Sequence, residues 1–209
     1  MKKPADHYAQ IDDFWREKFT AMDHEALARR FRLKWDEAFL YIVFYGRTYK
    51  VCRQTGIITD AESPETATTF DIRMSILHLF HYSKPDAAVC GRFVPFREIK
   101  GASPYAPAFQ RSVAEGLAIP FNGRLEQLKK ACLALGGQPI SQSDAGFLFR
   151  AFDCMPVMLL FWDGDEEFGA QANLLFDAQI TDFIHEETVC CIAGHLMRML
   201  RISAFLQSL

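Results

Sequence analysis

Residues 156–177 read PVMLLFWDGDEEFGAQANLLFD: an apolar run, a polar break, and a stretch in which Phe168, Ala170, Ala172, Leu174 and Phe176 alternate with Gly169, Gln171, Asn173 and Leu175. A short continuous apolar run suits a strand buried on both faces, and strict alternation is the two-residue period of a strand with one drier face. Asp-Gly between two such runs is the strongest local hairpin signal. The stretch therefore predicts an antiparallel hairpin turning at Asp163 and Gly164. Asp165, Glu166 and Glu167 then sit solvated at its mouth, and Asp177 closes the second strand and caps a short helix through its side-chain oxygen.

Working outward, GFLFRAF supplies another strand, while FLYIVFYGRTYKVC, broken at Gly46, and QTG before GIITD predict a meander. RFVPF has the internal proline of a short edge strand, and the prolines and Gly-Ala-Ser that follow predict an irregular loop. Helical spacing appears at 5–20, after the N-cap candidate Asp23, at 69–82, and at 107–117 and 123–135, the last ended by Gly136-Gly137. In the 69–82 helix Ile72, Ile76, Leu77 and Phe80 share one side, with Asp71, Ser75, His78 and Tyr82 on another. Val189, Ile192, Ala193, Leu196, Met199 and Leu200 predict a long C-terminal helix at about 186–206. Hairpins rather than βαβ units make the fold class α+β, a mostly antiparallel sheet flanked by helices. One domain is expected over 1–209, with an N-terminal helical segment at 5–35.

The 209 residues include 19 Phe, 3 Trp and 6 Tyr, enough large apolar side chains for a core without a disulfide or a structural metal. A formal charge of -3 argues against a nucleic-acid partner, which needs a basic face to displace counterions. The longest apolar runs, AFLYIVFY and CMPVMLLFW, are too short for a bilayer, and MKKPADHY lacks the apolar stretch of a leader, so no membrane partner and a cytoplasmic location are expected. Six scattered cysteines without C-x-x-C spacing read as small buried hydrophobes. No G-x-G-x-x-G, P-loop or G-x-S-x-G occurs, so no motif names a cofactor or a reaction.

Charge distribution gives the sharper clue. Between Arg150 and Arg198 lie 47 residues with no Lys or Arg but with Asp153, Asp163, Asp165, Glu166, Glu167, Asp177, Asp182, Glu186 and Glu187. Any of these that is partly buried needs a cation from elsewhere. Arg92, Arg97 and Arg73 are the nearest suppliers in the middle of the chain, and an Arg97 contact with Asp165, Glu166 or Asp177 is the expected pairing. The loop FREIKGASPYAPAF offers Arg97, Glu98 and Tyr105 as the other wall of a ligand cleft. D-G-D-E-E lacks the ligand spacing of a calcium loop, and His78 with His81 lacks a third ligand, so no metal site is expected. His185 reads as a helix cap and His195 as a solvent-facing residue.

HYSKP, FREIKGASPYAPAF, LALGG, WDGDEEF, NLLFD and HEET, in that order across about 25–205, resemble an uncharacterised bacterial and archaeal family, a domain of unknown function found mainly in anaerobes. The resemblance implies a connection to iron–sulfur domains or corrinoid-dependent one-carbon metabolism, and it assigns no role to any residue. No four-cysteine cluster motif occurs in this chain, so a cluster would have to come from a partner. The leading expectation is a cytoplasmic small-molecule or cofactor-binding accessory protein, its ligand held by Arg97, Glu98, Tyr105, Asp165, Glu166 and Asp177. The alternatives are an enzyme using the hairpin carboxylates with a metal or as an acid–base pair, and a protein-interaction module without a small ligand.

Overall fold

Pairing is antiparallel throughout the computed structural model, which describes residues 4–207. Strands β1 (Lys34–Trp35), β2 (Phe39–Phe44), β3 (Arg47–Cys52) and β4 (Ile58–Asp60) form one meandering sheet in sequence order. A second sheet has the order β5-β9-β8-β7-β6, built from β5 (Phe93–Pro95), β6 (Gln138–Ile140), β7 (Ala145–Phe152), β8 (Met155–Trp162) and β9 (Gln171–Asp177). The expected sheet is thus two sheets. They meet where the Tyr45 N–H donates to the Ala151 carbonyl and the Phe44 ring lies 4.8 Å from Phe152. Tyr45 and Gly46 both have positive φ, 47° and 77°, the conformation that lets a two-residue turn follow the strands' twist.

Helices α1 (Pro4–Thr20) and α2 (His24–Phe31) lead the chain, and the Asp23 side chain accepts the Ala26 N–H to start the second. Helix α3 (Phe70–Tyr82) begins at Thr69, whose hydroxyl accepts the Ile72 N–H. The segment expected as an irregular loop folds into short 3₁₀ turns at Phe96–Glu98 and Ser103–Tyr105. Then α4 (Ala106–Phe109), a π-helical turn (Gln110–Ala114) and α5 (Glu115–Phe121) run together. Next come α6 (Leu125–Ala134) and, last, α7 (Glu186–Leu206), which is long and apolar enough to cross a membrane by length and composition. Its buried side chains, Val189, Ile192, Ala193, Leu196 and Leu200, belong to the same apolar core as those of both sheets.

Helix α3, expected as amphipathic, buries Met74, Ser75 and Leu79 as well as Ile72, Ile76, Leu77 and Phe80, so Ser75 of its polar side faces protein. One expectation is corrected: Asp163 and Gly164 do not form a two-residue turn, since β8 ends at Trp162 and β9 starts at Gln171, opposite it in register. Gly164 is required by proximity. A Cβ there would lie 2.1 Å from Asn122 Oδ1, the atom that accepts the Ala170 N–H. Gly164→Ala is expected to cost about 1–3 kcal/mol in urea unfolding by displacing Asn122; a variant as stable as the parent would contradict this packing.

Candidate functional site

Three carboxylates of the acidic stretch, Asp163, Asp165 and Asp177, accept backbone N–H groups rather than a cation. Asp177, 2 % exposed, accepts the N–H groups of Gln179 (2.9 Å) and Cys90 (3.2 Å) through Oδ1 and of Gly91 (2.7 Å) through Oδ2. Burial raises its pKa, but those N–H donors outweigh burial and hold the carboxyl below its ordinary value. Asp165 accepts from Phe168 (2.7 Å) and Glu167 (2.8 Å), and Asp163 accepts from Gly123 and Gly164. Asp182 pairs with a distant cation, Lys84, while Glu166 and Glu167 stay exposed. Among the described residues no ion pair joins Arg97 to Asp165, Glu166 or Asp177, and Arg73 pairs instead with Asp12 at 2.7 Å. At Asp165 and Asp177 N–H groups from local turns and the 90–91 loop take the place of the expected cation, and Glu166 is exposed to solvent.

The structure separates the rest of the expected cleft. Arg97 and Glu98 are exposed on their 3₁₀ turn, and Arg97 lines a cleft of about 610 Å³ beside β9 with Gln110, Glu115, Trp162, Gln171 and Asn173. Tyr105 instead faces the start of α7, where Glu187, then burial and Glu186, push its hydroxyl above the ordinary range. None of Glu98, Tyr105, Asp165, Glu166 and Asp177 lines the Arg97 cleft.

Sequence reasoning missed a polar seam between α3 and α7. Asp71 forms an ion pair with Arg198 and a hydrogen bond with Cys191. Nδ1 of His78 lies 2.6 Å from Oγ1 of buried Thr188, and the rings of Tyr82 and His185 are 5.3 Å apart. His185 starts α7 by accepting the Glu187 N–H, as its position suggested. His195 is 8 % exposed, with its ring stacked 5.0 Å from Phe44, which overturns the solvent-facing expectation. Ser75 Oγ, His78 Nε2 and His195 Nε2 are buried without a hydrogen-bond partner. The signal was present: positions 71, 75, 78, 82 and 188, 191, 195, 198 step by three and four, so each set shares one helix face. No group of three or more His, Cys, Asp or Glu among the described residues is arranged to hold a metal ion.

A groove of about 800 Å³ lies elsewhere, between the end of α2, the first sheet and the β7–β8 turn. Its apolar wall comes from Phe31, Leu33, Ile42, Leu79 and Phe152, with Trp35 and Tyr41 at one side. Arg30, Arg32 and Lys34 are exposed along it, against a single lining carboxylate, Asp153. Arg30 is steadied by donating from Nη2 to Ser83 Oγ at 3.0 Å. Arg32 closes α2 in the left-handed region, φ 53°, a position where glycine is the usual residue.

A family model matches residues 23–199, from the cap of α2 into α7, and so contains every residue that lines this groove. The chain belongs to the DUF3786 family, a domain of unknown function. No curated protein and no solved structure matches the chain. Within the DUF3786 region lie both walls of the Arg97 cleft and all the residues of the α3–α7 seam.

Proposed function

We propose that this chain is a cytoplasmic binding protein for a small molecule that joins an anionic group to a planar or apolar body, held in the groove beside α2. The observation that carries this is a charge surplus: three cations and one carboxylate border an apolar cavity in a protein whose net charge is -3. The volume falls within the roughly 300–1,000 Å³ of small-molecule sites. Guanidinium groups at such a rim give charge-assisted hydrogen bonds to phosphate or carboxylate, and the aromatic side chains cover the body. Holding Arg32 in a left-handed conformation costs on the order of 1 kcal/mol, an outlay that supports a use for its side chain. This keeps the accessory-binder reading and moves its site away from Arg97. Metabolites of one-carbon or corrinoid chemistry that carry phosphate or carboxylate fall in the same ligand class.

Titration calorimetry with 1-naphthyl phosphate and with uncharged 1-naphthalenemethanol tests the proposal. The phosphate is expected to bind at least about tenfold more tightly, since one charge-assisted hydrogen bond contributes roughly 1.5–3 kcal/mol. The double variant R32E/K34E should remove that preference without lowering the melting temperature. Equal affinities for the two probes, or an unchanged preference in the variant, would refute it.

A further inference from the structure

The Arg97 cleft, separate from the groove, is bordered by a strand edge with unused backbone hydrogen-bonding groups. The Ala178 N–H donates to the Arg92 carbonyl on the β5 side of β9. Because alternate residues of a strand direct N–H and C=O to the same side, Phe176, Leu174, Ala172 and Ala170 share that edge. Ala170 agrees, its N–H reaching Asn122 Oδ1 at 2.8 Å on that side. Strand β5, however, stops at Pro95, opposite Leu175, where the chain turns into its 3₁₀ helix. Ala172 lies beyond the end of β5, and the cleft opens against it. Its other neighbour, Phe161 of β8, is on the opposite side.

The geometry points to a second ligand site here, for an uncharged, planar molecule with a lactam-type edge, an N–H beside a C=O, that pairs with the C=O and N–H of Ala172. An edge residue of a strand presents donor and acceptor side by side, and the ligand edge that satisfies both has the reverse order, as one strand does for its neighbour. The lining carries one cation and one carboxylate, Arg97 and Glu115, so the cleft asks for no net charge; Gln110, Gln171 and Asn173 add neutral donors and acceptors, and Trp162 an aromatic wall. The far wall includes the π-helical turn at Gln110–Ala114, an irregularity that helices often carry at functional sites. A volume of about 610 Å³ accommodates a bicyclic heterocycle with substituents.

Amide-resolved NMR of the full chain provides the test, with δ-valerolactam as probe and N-methyl-δ-valerolactam, which lacks the N–H, as control. Millimolar lactam is expected to shift the Ala172 amide, and the N-methyl compound to bind at least tenfold more weakly. Ala172→Pro removes the donor on an edge where the ladder does not use it, and Gln110→Trp fills the cleft from the helical wall without touching the strand. Gln110→Trp should abolish the Ala172 shift, and in Ala172→Pro, which has no amide at 172, the lactam-induced shifts at the neighbouring Gln171 and Asn173 amides should be lost, while the melting temperature stays within a few degrees. No shift at Ala172 with 50 mM lactam (roughly 50-fold above a millimolar Kd), equal binding of the two probes, or binding that survives both variants would overturn the inference.

Discussion

Lowering the pH from 7 to 5 is expected to cost the fold about 4 kcal/mol and to lower its melting temperature by about 10 °C. Two histidines are responsible. Burial, then the nearby His185 and His81, pushes His78 down to about 4. Burial, then Arg198 and Arg47 against the opposing pull of Asp71, does the same for His195. In the unfolded chain each titrates near 6.5, so below that pH the unfolded state takes up protons that the folded state refuses. Stability is therefore full above about pH 7 and is lost as the pH falls towards 4, at roughly 2 kcal/mol per histidine by pH 5. His81, lowered by burial and by Lys18, acts in the same direction.

The carboxylates with lowered pKa, Asp177 among them, contribute their loss only near and below about pH 4, so the window from 7 to 5 isolates the histidines. Calorimetric melting across that window should show the fall, and His195→Leu should remove about half of it. A melting temperature flat from pH 7 to 5, or an unaltered slope in the variant, would show that these side chains are not held neutral in the seam.

The second large effect is at Asp177. Replacing it with alanine strands the N–H groups of Cys90, Gly91 and Gln179, and leaving several buried donors unpaired costs on the order of 3 kcal/mol or more. Asp177→Asn keeps one acceptor oxygen and should recover about half of that loss. Urea unfolding measures both, and a loss below about 1 kcal/mol for the alanine variant would refute the clamp. Since Asp177 binds backbone rather than ligand, the asparagine variant should still bind 1-naphthyl phosphate as the parent does.

Periodicity made most of the fold legible, because burial enforces it: Leu174 and Phe176 alternate with wetter neighbours along β9, and the α7 stripe from Val189 to Leu200 is buried as spaced. Asp23 was readable as a cap because its job is local. What failed was non-local. The polar face of α3 was visible but its partner was not, because one helix pattern cannot reveal that α7, 110 residues away at the His78–Thr188 contact, offers a matching polar face. The charge imbalance at 151–197 was real, but a sequence shows cations and hides the backbone N–H groups that meet Asp163, Asp165 and the buried Asp177, and the solvent that meets Glu166 and Glu167. The groove was invisible for a related reason: Arg30, Arg32 and Lys34 stand together in sequence, while its apolar wall is completed by Leu79 and Phe152.

The seam also sets an order of events during synthesis. At about 5–20 residues per second, the 110 residues that separate His78 from Thr188 take on the order of 5–20 s to emerge. For that interval His78 already has the Trp15 ring of α1 4.3 Å away, but Asp71 and His78 lack their α7 partners Arg198 and Thr188. The nascent chain can therefore pack α3 against α1 and α2 early, through Phe19, Phe31 and Trp15, while its polar partners arrive only with α7, which makes closure of the seam a late step.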